Sequence, residues 1–161
     1  MISEAVLDAG PVIHIEQIGK LELLDILDNI YLSGEVVDEI GQNGVEKFEF
    51  QEIELEPESK DRAKYISNRY NLEMGESTSI AVALQEDIEL VFTDDLDARN
   101  RAIQMDLEPH GTLAIVTRSY SMNRIEADLA KKIIEELRQE SSLFLTSDLV
   151  RWAKTQIEKG K

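Results

Sequence analysis

The chain has 161 residues, of which 42% are hydrophobic and 31% charged, and this size and balance suit one ordinary domain with a real core. It contains no cysteine, which excludes disulfides, thiolate zinc sites and cysteine nucleophiles, and no apolar run reaches the length of a membrane span. We therefore expect a cytoplasmic protein without membrane contact, organised as one domain over residues 1–161.

The charge is strongly acidic and unevenly distributed. A formal net charge of −16 argues against a general nucleic-acid binder, because phosphate binding favours a basic surface. Residues 20–58 hold twelve acids and two lysines, whereas residues 60–69 hold four basic residues and one acid, and residues 99–124 hold four arginines and two acids. The acidic stretch is typical of a solvated surface or, alternatively, of a surface that docks a basic partner.

Short apolar runs predict strands, and apolar residues three or four positions apart predict helices. The predicted strands lie at residues 4–8, 29–33, 48–55 and 89–93, with a further one near the start of 108–116. The predicted helices lie at residues 12–18, 20–27, 36–40, 59–70, 76–86, 95–105, from Thr112 onward, 124–140 and 147–159. We expect Pro11 to occupy the first helical position, from which Val12 continues the first helix. This alternation indicates an α/β fold with a mainly parallel sheet, and residues 122–161 form a helical C-terminal extension packed on it.

Two of the predicted strands run directly into acidic side chains. Val6-Leu7 leads into Asp8, and Val91-Phe92-Thr93 leads into Asp94 and Asp95. In open α/β sheets, ligand sites form outside the carboxyl ends of the strands, so we expect these carboxylates to lie close together.

Two further acids lie in or at the start of predicted helices. Glu39 is in Val36-Val37-Asp38-Glu39-Ile40, and Glu76 follows Gly75. If they join the strand-end acids, the result is a carboxylate cluster without histidine or cysteine, which favours Mg²⁺ or Mn²⁺ over zinc. Such ions suit phosphodiester hydrolysis, because they lower the pKa of an attacking water and neutralise charge on the phosphate.

Four segments in this order resemble one known family. They are Val6-Leu7-Asp8-Ala9-Gly10-Pro11, Val36-Val37-Asp38-Glu39-Ile40, Gly75-Glu76 with the apolar residues after it, and Thr93-Asp94-Asp95-Leu96-Asp97-Ala98-Arg99. Together they resemble the PIN domain, in particular the VapC-like ribonuclease toxins and a related archaeal and bacterial branch with an Asp-Asp-x-x-Ala-Arg segment. The later Gly111–Val116 segment also resembles that branch, so the resemblance covers nearly the whole chain.

The resemblance implies a three-layer α/β/α fold with a short twisted sheet, and a metal-dependent endoribonuclease that uses Mg²⁺ or Mn²⁺. It implies that Asp8, Glu76 and Asp95 bind the metal and that Glu39 is the fourth catalytic acid. In the toxin setting it also implies an antitoxin protein as partner, and we expect a homodimer.

The acids around Asp95 allow two alignments with the family. The common pattern Thr-x-Asp-x-Asp adds Asp97 as a further ligand, whereas the Asp-Asp pattern adds Asp94. Both alignments contain Asp95, and the choice between the other two stays open at this point.

Arg99, Arg101 and Thr112 are candidates for binding the RNA substrate. The two arginines lie within a turn or two of the acids and either hold phosphate or offset surplus negative charge. Thr112 follows a glycine at a helix entry, where it either contacts phosphate or caps the helix.

Each acid also has a purely structural interpretation. Asp8 and one of the acids at residues 94–97 can cap the helices that follow them, Glu76 can favour its helix dipole, and Glu39 can be a solvated helix residue. The corresponding alternative function is a catalytically weak PIN-fold module that docks a basic protein partner.

Overall fold

The computed structural model describes residues 1–160; Lys161, the last residue of the predicted extension, lies outside the described residues. In chain order the elements are β1 Ala5–Leu7, α1 Ala9–Gln17, a 3₁₀ helix Leu21–Ile26, β2 Ile30–Ser33, α2 Gly34–Ile40, α3 Gln42–Val45, β3 Gln51–Ile53, α4 Pro57–Tyr70, α5 Met74–Glu86, β4 Leu90–Phe92, α6 Leu96–Gln104, β5 Glu108–His110, α7 Thr112–Ser121, α8 Ala127–Glu140 and α9 Ser147–Glu158. None of the helices in residues 1–160 combines the length and apolarity needed to cross a membrane.

The five strands form one parallel sheet in the order β3-β2-β1-β4-β5. Val6 in the central strand pairs with Tyr31 of β2 on one side and Val91 of β4 on the other. Strands β2 and β3 add to one side of β1, and the chain then crosses over so that β4 and β5 add to the other side. A crevice therefore opens at the carboxyl ends of β1 and β4, the usual position for a site in such folds.

Helices cover both faces of the sheet because side chains alternate along each strand. Leu7 and Phe92 point into the larger core, and Val6 and Val91 point into a second cluster on the opposite face. All four are almost completely buried. These two apolar layers confirm the predicted three-layer α/β/α fold with a parallel sheet.

The two C-terminal helices contribute to the larger core. Buried residues three or four positions apart on α8 and α9 pack into the same cluster as β1. They are Ala130, Ile133, Ile134 and Leu137 on α8, and Val150, Ala153 and Ile157 on α9. The long helix begins at Ala127 rather than at the predicted 124, because α7 runs to Ser121 and Asn123 adopts a left-handed conformation with φ 59°.

Two helix starts differ from the predictions in ways that shape the crevice. Helix α1 begins at Ala9, so Pro11 occupies its third position, where the backbone N–H would lack an intrahelical partner in any residue. Helix α5 begins at Met74, which puts Gly75 inside the first turn instead of before it.

Candidate metal centre

A cleft of about 480 Å³ lies at the carboxyl ends of β1 and β4. Six carboxylates from four different parts of the chain line it: Asp8, Glu39, Glu73, Glu76, Asp94 and Asp95. We call this the acidic cleft. The structure thus brings together the four acids that the resemblance implies as catalytic, together with Asp94.

Asp8 is the most enclosed of these acids, with 7% of the residue exposed. Its Oδ1 accepts a hydrogen bond from the N–H of Ala9 at 2.8 Å, and its Oδ2 accepts one from the hydroxyl of Thr93 at 2.9 Å. Burial raises the pKa of Asp8 to about 6, and the charges of Glu39 and Asp94 add to this effect, while the two hydrogen bonds oppose it. Asp8 therefore caps α1 and also presents a fixed, destabilised carboxylate to the cleft.

Gly75 lies between the acids of α2 and β1. A Cβ at this position would be 2.8 Å from Oε2 of Glu39 and 3.6 Å from Oδ1 of Asp8. The first distance is shorter than real Cβ contacts allow, so only glycine fits without displacing Glu39. The missing side chain leaves a small space that faces both carboxylates.

Glu76 and Glu39 are each repelled by neighbouring carboxylates of the cluster. Burial, followed by the charge of Asp95, raises the pKa of Glu76 to about 7, even though Glu76 accepts a hydrogen bond from the N–H of Glu73 at 3.1 Å. Burial and the charge of Glu73 raise the pKa of Glu39. Glu76 thus also helps to cap the N-terminus of α5, which is a structural role. Its raised pKa nevertheless indicates that nearby positive charge does not balance its negative charge.

Asp94 differs from its neighbours because donors surround it. Its Oδ2 lies 2.7 Å from Nδ1 of His14, which donates because an ionised carboxylate only accepts. The N–H of Thr112 donates to Oδ1 at 2.7 Å, and the Thr112 hydroxyl donates to Oδ2. Burial opposes ionisation, but these hydrogen bonds outweigh it and lower the pKa of Asp94. A Cβ on Gly111 would be 2.8 Å from Oδ1, so the backbone approaches Asp94 closely there.

Asp95 is exposed and caps α6, because its Oδ1 accepts from the N–H of Ala98 at 2.8 Å. Its charge still acts on Glu76 across the acidic cleft. Asp97 lies elsewhere: it lines a depression with Arg69 and Arg101. Position alone therefore favours Asp94 over Asp97 as the neighbour of Asp95 in the cleft.

The three predicted RNA contacts are distributed over different surfaces. Arg99 lines the acidic cleft and donates from Nη2 to the carbonyl oxygen of Asp94 at 3.4 Å. Thr112 is buried against Asp94. Arg101 stacks on Tyr70, with Cζ 3.8 Å from the ring centroid.

The donors of the acidic cleft fit a hard divalent cation by their chemistry. Carboxylate oxygens are the preferred ligands of Mg²⁺, and three carboxyls with raised pKa show a cluster that needs positive charge. The space over Gly75 faces two of them. Within residues 1–160, no three side chains of His, Asp or Glu are already arranged to hold an ion, so side-chain rotation must accompany binding.

The acidic cleft also has lining residues that the sequence did not indicate, among them Glu73, His14 and Phe144. Glu73 lies three residues before Glu76, a spacing typical of a helix N-terminus, which was the available signal. His14 is a lone histidine, and only the fold brings it to Asp94. Phe144 comes from the connection between α8 and α9 and reaches the cleft through tertiary packing.

Comparison with known proteins agrees with this geometry. The family model described as PIN domain (DUF3368) matches residues 4–159. Neither the curated proteins nor the solved structures with which the chain was compared gave a match. PIN domains are typically metal-dependent nucleases. With a matching model that spans nearly all of its length, the chain belongs to the PIN-domain family.

Proposed function

We propose that the chain is a Mg²⁺- or Mn²⁺-dependent endoribonuclease that hydrolyses RNA phosphodiesters in the acidic cleft. The observation that carries the proposal is the meeting of Asp8, Glu39, Glu76 and Asp95 at the carboxyl edge of the sheet. Burial and mutual repulsion raise the pKa of Asp8, Glu39 and Glu76, so their ionised forms destabilise the metal-free protein. This supports a role as metal ligands rather than as helix caps alone.

A divalent ion bound here would neutralise charge on the scissile phosphate and lower the pKa of the attacking water. Asp8 is held by Ala9 and Thr93, so it offers oxygens at a fixed position. Glu76 and Glu39 approach from the two flanking helices. Arg99, which lines the cleft, would orient the phosphate of the RNA by hydrogen bonding.

The test is cleavage of a mixed RNA pool with Mg²⁺ or Mn²⁺, and with EDTA. Cleavage should need the metal and should be lost in Asp8→Asn and in Asp95→Asn. Asp61→Asn, an exposed acid on α4, removes the same charge and should cleave normally. Equal cleavage by the Asp8 and Asp61 variants, or cleavage that persists in EDTA, would contradict the proposal.

We further propose that the nuclease acts as the toxin of a toxin–antitoxin pair and forms a homodimer. The resemblance of its acidic segments to VapC-like toxins supports this. Expression in a bacterial host should slow growth, whereas the Asp95→Asn variant should not. Light scattering should give twice the chain mass. Unimpaired growth with active protein would reject the toxin role, and a monomeric mass would reject the dimer.

A second candidate function is a binding module for a basic protein. A cleft of about 810 Å³ is lined by Glu16, Glu22, Asp25, Asp28 and Glu49, mostly from the acid-rich stretch. Its one lysine, Lys47, already pairs with Glu16 at 2.8 Å. Binding of a lysine-rich peptide, lost when Asp25 and Asp28 are changed to asparagine, together with an RNA pool left intact, would favour this function over the nuclease.

A further inference from the structure

Another cleft, of about 340 Å³ and distinct from the cleft of about 810 Å³, adjoins the acidic cleft. The two share Asp94, Arg99, Leu143, Phe144 and Leu149 as lining residues, so they meet at one wall. This smaller cleft continues along β5 and α7 to Trp152 on α9. We call it the aromatic cleft.

The ionisable side chains of the aromatic cleft are mostly basic, whereas those of the acidic cleft are mostly carboxylates. Besides the shared Asp94, its ionisable lining residues are Arg99, His110 and Arg118. Arg118 is engaged: its Nη2 donates to Nε2 of His110 at 2.9 Å and lies 3.4 Å from Oε1 of Glu108. Arg99 has unused hydrogen-bonding capacity, because its buried Nε has no hydrogen-bond partner among the described residues. In a chain of net charge −16, this lining holds two arginines against one carboxylate, a local balance that favours an anion.

Large apolar side chains are exposed along the same surface. Phe144 is 85% exposed, Trp152 54% and Leu149 45%. Within residues 1–160 nine large hydrophobic side chains are exposed, and these three together with Leu96 line the two clefts. Such clustering of exposed apolar groups marks an interaction surface.

The segment that carries Phe144 is anchored at both ends. The N–H of Ser142 donates to Oε1 of Gln17 at 2.7 Å, which ties the segment to α1. The hydroxyl of Thr146 accepts from the N–H of Leu149 at 3.2 Å and starts α9. The backbone of this segment is thus fixed beside the acidic cleft, and the exposed Phe144 side chain lines both clefts.

We propose that the aromatic cleft binds unpaired bases of single-stranded RNA next to the phosphate that is cut, an inference that rests on the proposed nuclease function. Aromatic side chains stack on any base, and Arg99 at the shared wall matches a backbone phosphate between the two clefts. Bases in a duplex are stacked inside the helix and cannot reach Phe144 or Trp152.

Trp152 is the only tryptophan, so its fluorescence reports on this cleft. The experiment titrates the full chain with a short oligoadenylate in Ca²⁺, and a gel verifies that the RNA stays intact. We expect quenching by the single strand and little by a blunt RNA duplex of equal length. Phe144→Ala and Phe144→Leu should each weaken binding about five- to a hundred-fold, the range of one base–aromatic stack.

Tyr65→Ala is the matched control, because Tyr65 is also an exposed aromatic, 60% accessible, and lies on α4. It should leave the affinity unchanged. Equal affinity of the Phe144 variants, or equal binding of the duplex, would overturn the inference. Emission that changes with protein concentration but not with RNA would do so as well, and would assign the surface to a second copy of the chain.

The outcome is separable from that of the proposed function. Binding is measured without turnover, so base-dependent quenching by a protein that never cleaves RNA would keep this inference and reject the nuclease. Metal-dependent cleavage of RNA that leaves Trp152 emission and the Phe144 variants unaffected would keep the nuclease and reject this inference.

Discussion

Replacing Asp8 by asparagine should stabilise the metal-free protein, although Asp8 is central to the proposed site. Burial raises the pKa of Asp8 from 3.8 to about 6. Because the folded chain holds this proton more tightly than the unfolded chain, the free energy of unfolding falls as pH rises from about 4 to above about 6. A difference of roughly 2 pKa units corresponds to about 3 kcal/mol at neutral pH and above.

Asparagine removes this cost and keeps most of the local contacts. Its amide oxygen can accept from Ala9, and its amide group can donate to the Thr93 hydroxyl, which both donates and accepts. Loss of the charge-assisted bond costs about 1 kcal/mol. The net gain is therefore about 2 kcal/mol, or about 4–8 °C in Tm for a chain of this size.

Thermal unfolding in EDTA measures this gain. The shift in Tm should be present at about pH 8 and should nearly vanish near pH 4, where Asp8 is mostly protonated in the folded state. Asp61→Asn removes the same formal charge from an exposed helix position and should shift Tm little at either pH. A Tm for Asp8→Asn at or below that of the parent at pH 8 would show that the buried Asp8 charge does not destabilise the metal-free fold.

Two further substitutions test the geometry around the acidic cleft. Gly75→Ala should weaken Mn²⁺ binding in calorimetry, because its Cβ would displace Glu39 from 2.8 Å away, whereas Gly34→Ala, which meets nothing within 4 Å, should bind normally. Equal affinities would contradict the role of Gly75. Thr112→Val should lower the free energy of unfolding in urea by about 1–3 kcal/mol, since it removes a hydroxyl donor from the partly buried Asp94 carboxylate. An unchanged unfolding midpoint would show that this hydrogen bond is dispensable.

The strand-end acids are predictable because their signals are local. A short apolar run buried on both faces of a parallel sheet is visible in Val6-Leu7 and in Val91-Phe92, and the acid that follows it lies at the carboxyl edge. Glu39 and Glu76 have weaker signals and depend on the order of the family segments. Their placement beside Asp8 follows from the packing of α2 and α5.

Long-range packing decides what the sequence does not show. The segment around Phe144 is separated from Gln17, its hydrogen-bonding partner, by most of the chain, so no local pattern places it beside the acidic cleft. His14 likewise meets Asp94 only after β1 and β4 pair. The start of α1 also differs from the prediction. Pro11 favours a start at residue 11, but Asp8 caps the helix, which therefore begins at Ala9.

The most direct test of the proposed metal centre is a crystal structure of the chain grown with Mn²⁺, with anomalous diffraction used to locate the ion. We expect an anomalous peak in the acidic cleft, within coordination distance of carboxylate oxygens of Asp8 and of at least one of Glu39, Glu76 and Asp95. A cleft without a peak at saturating Mn²⁺, or ions bound only at other surface carboxylates, would contradict the claim that this cluster is a metal centre.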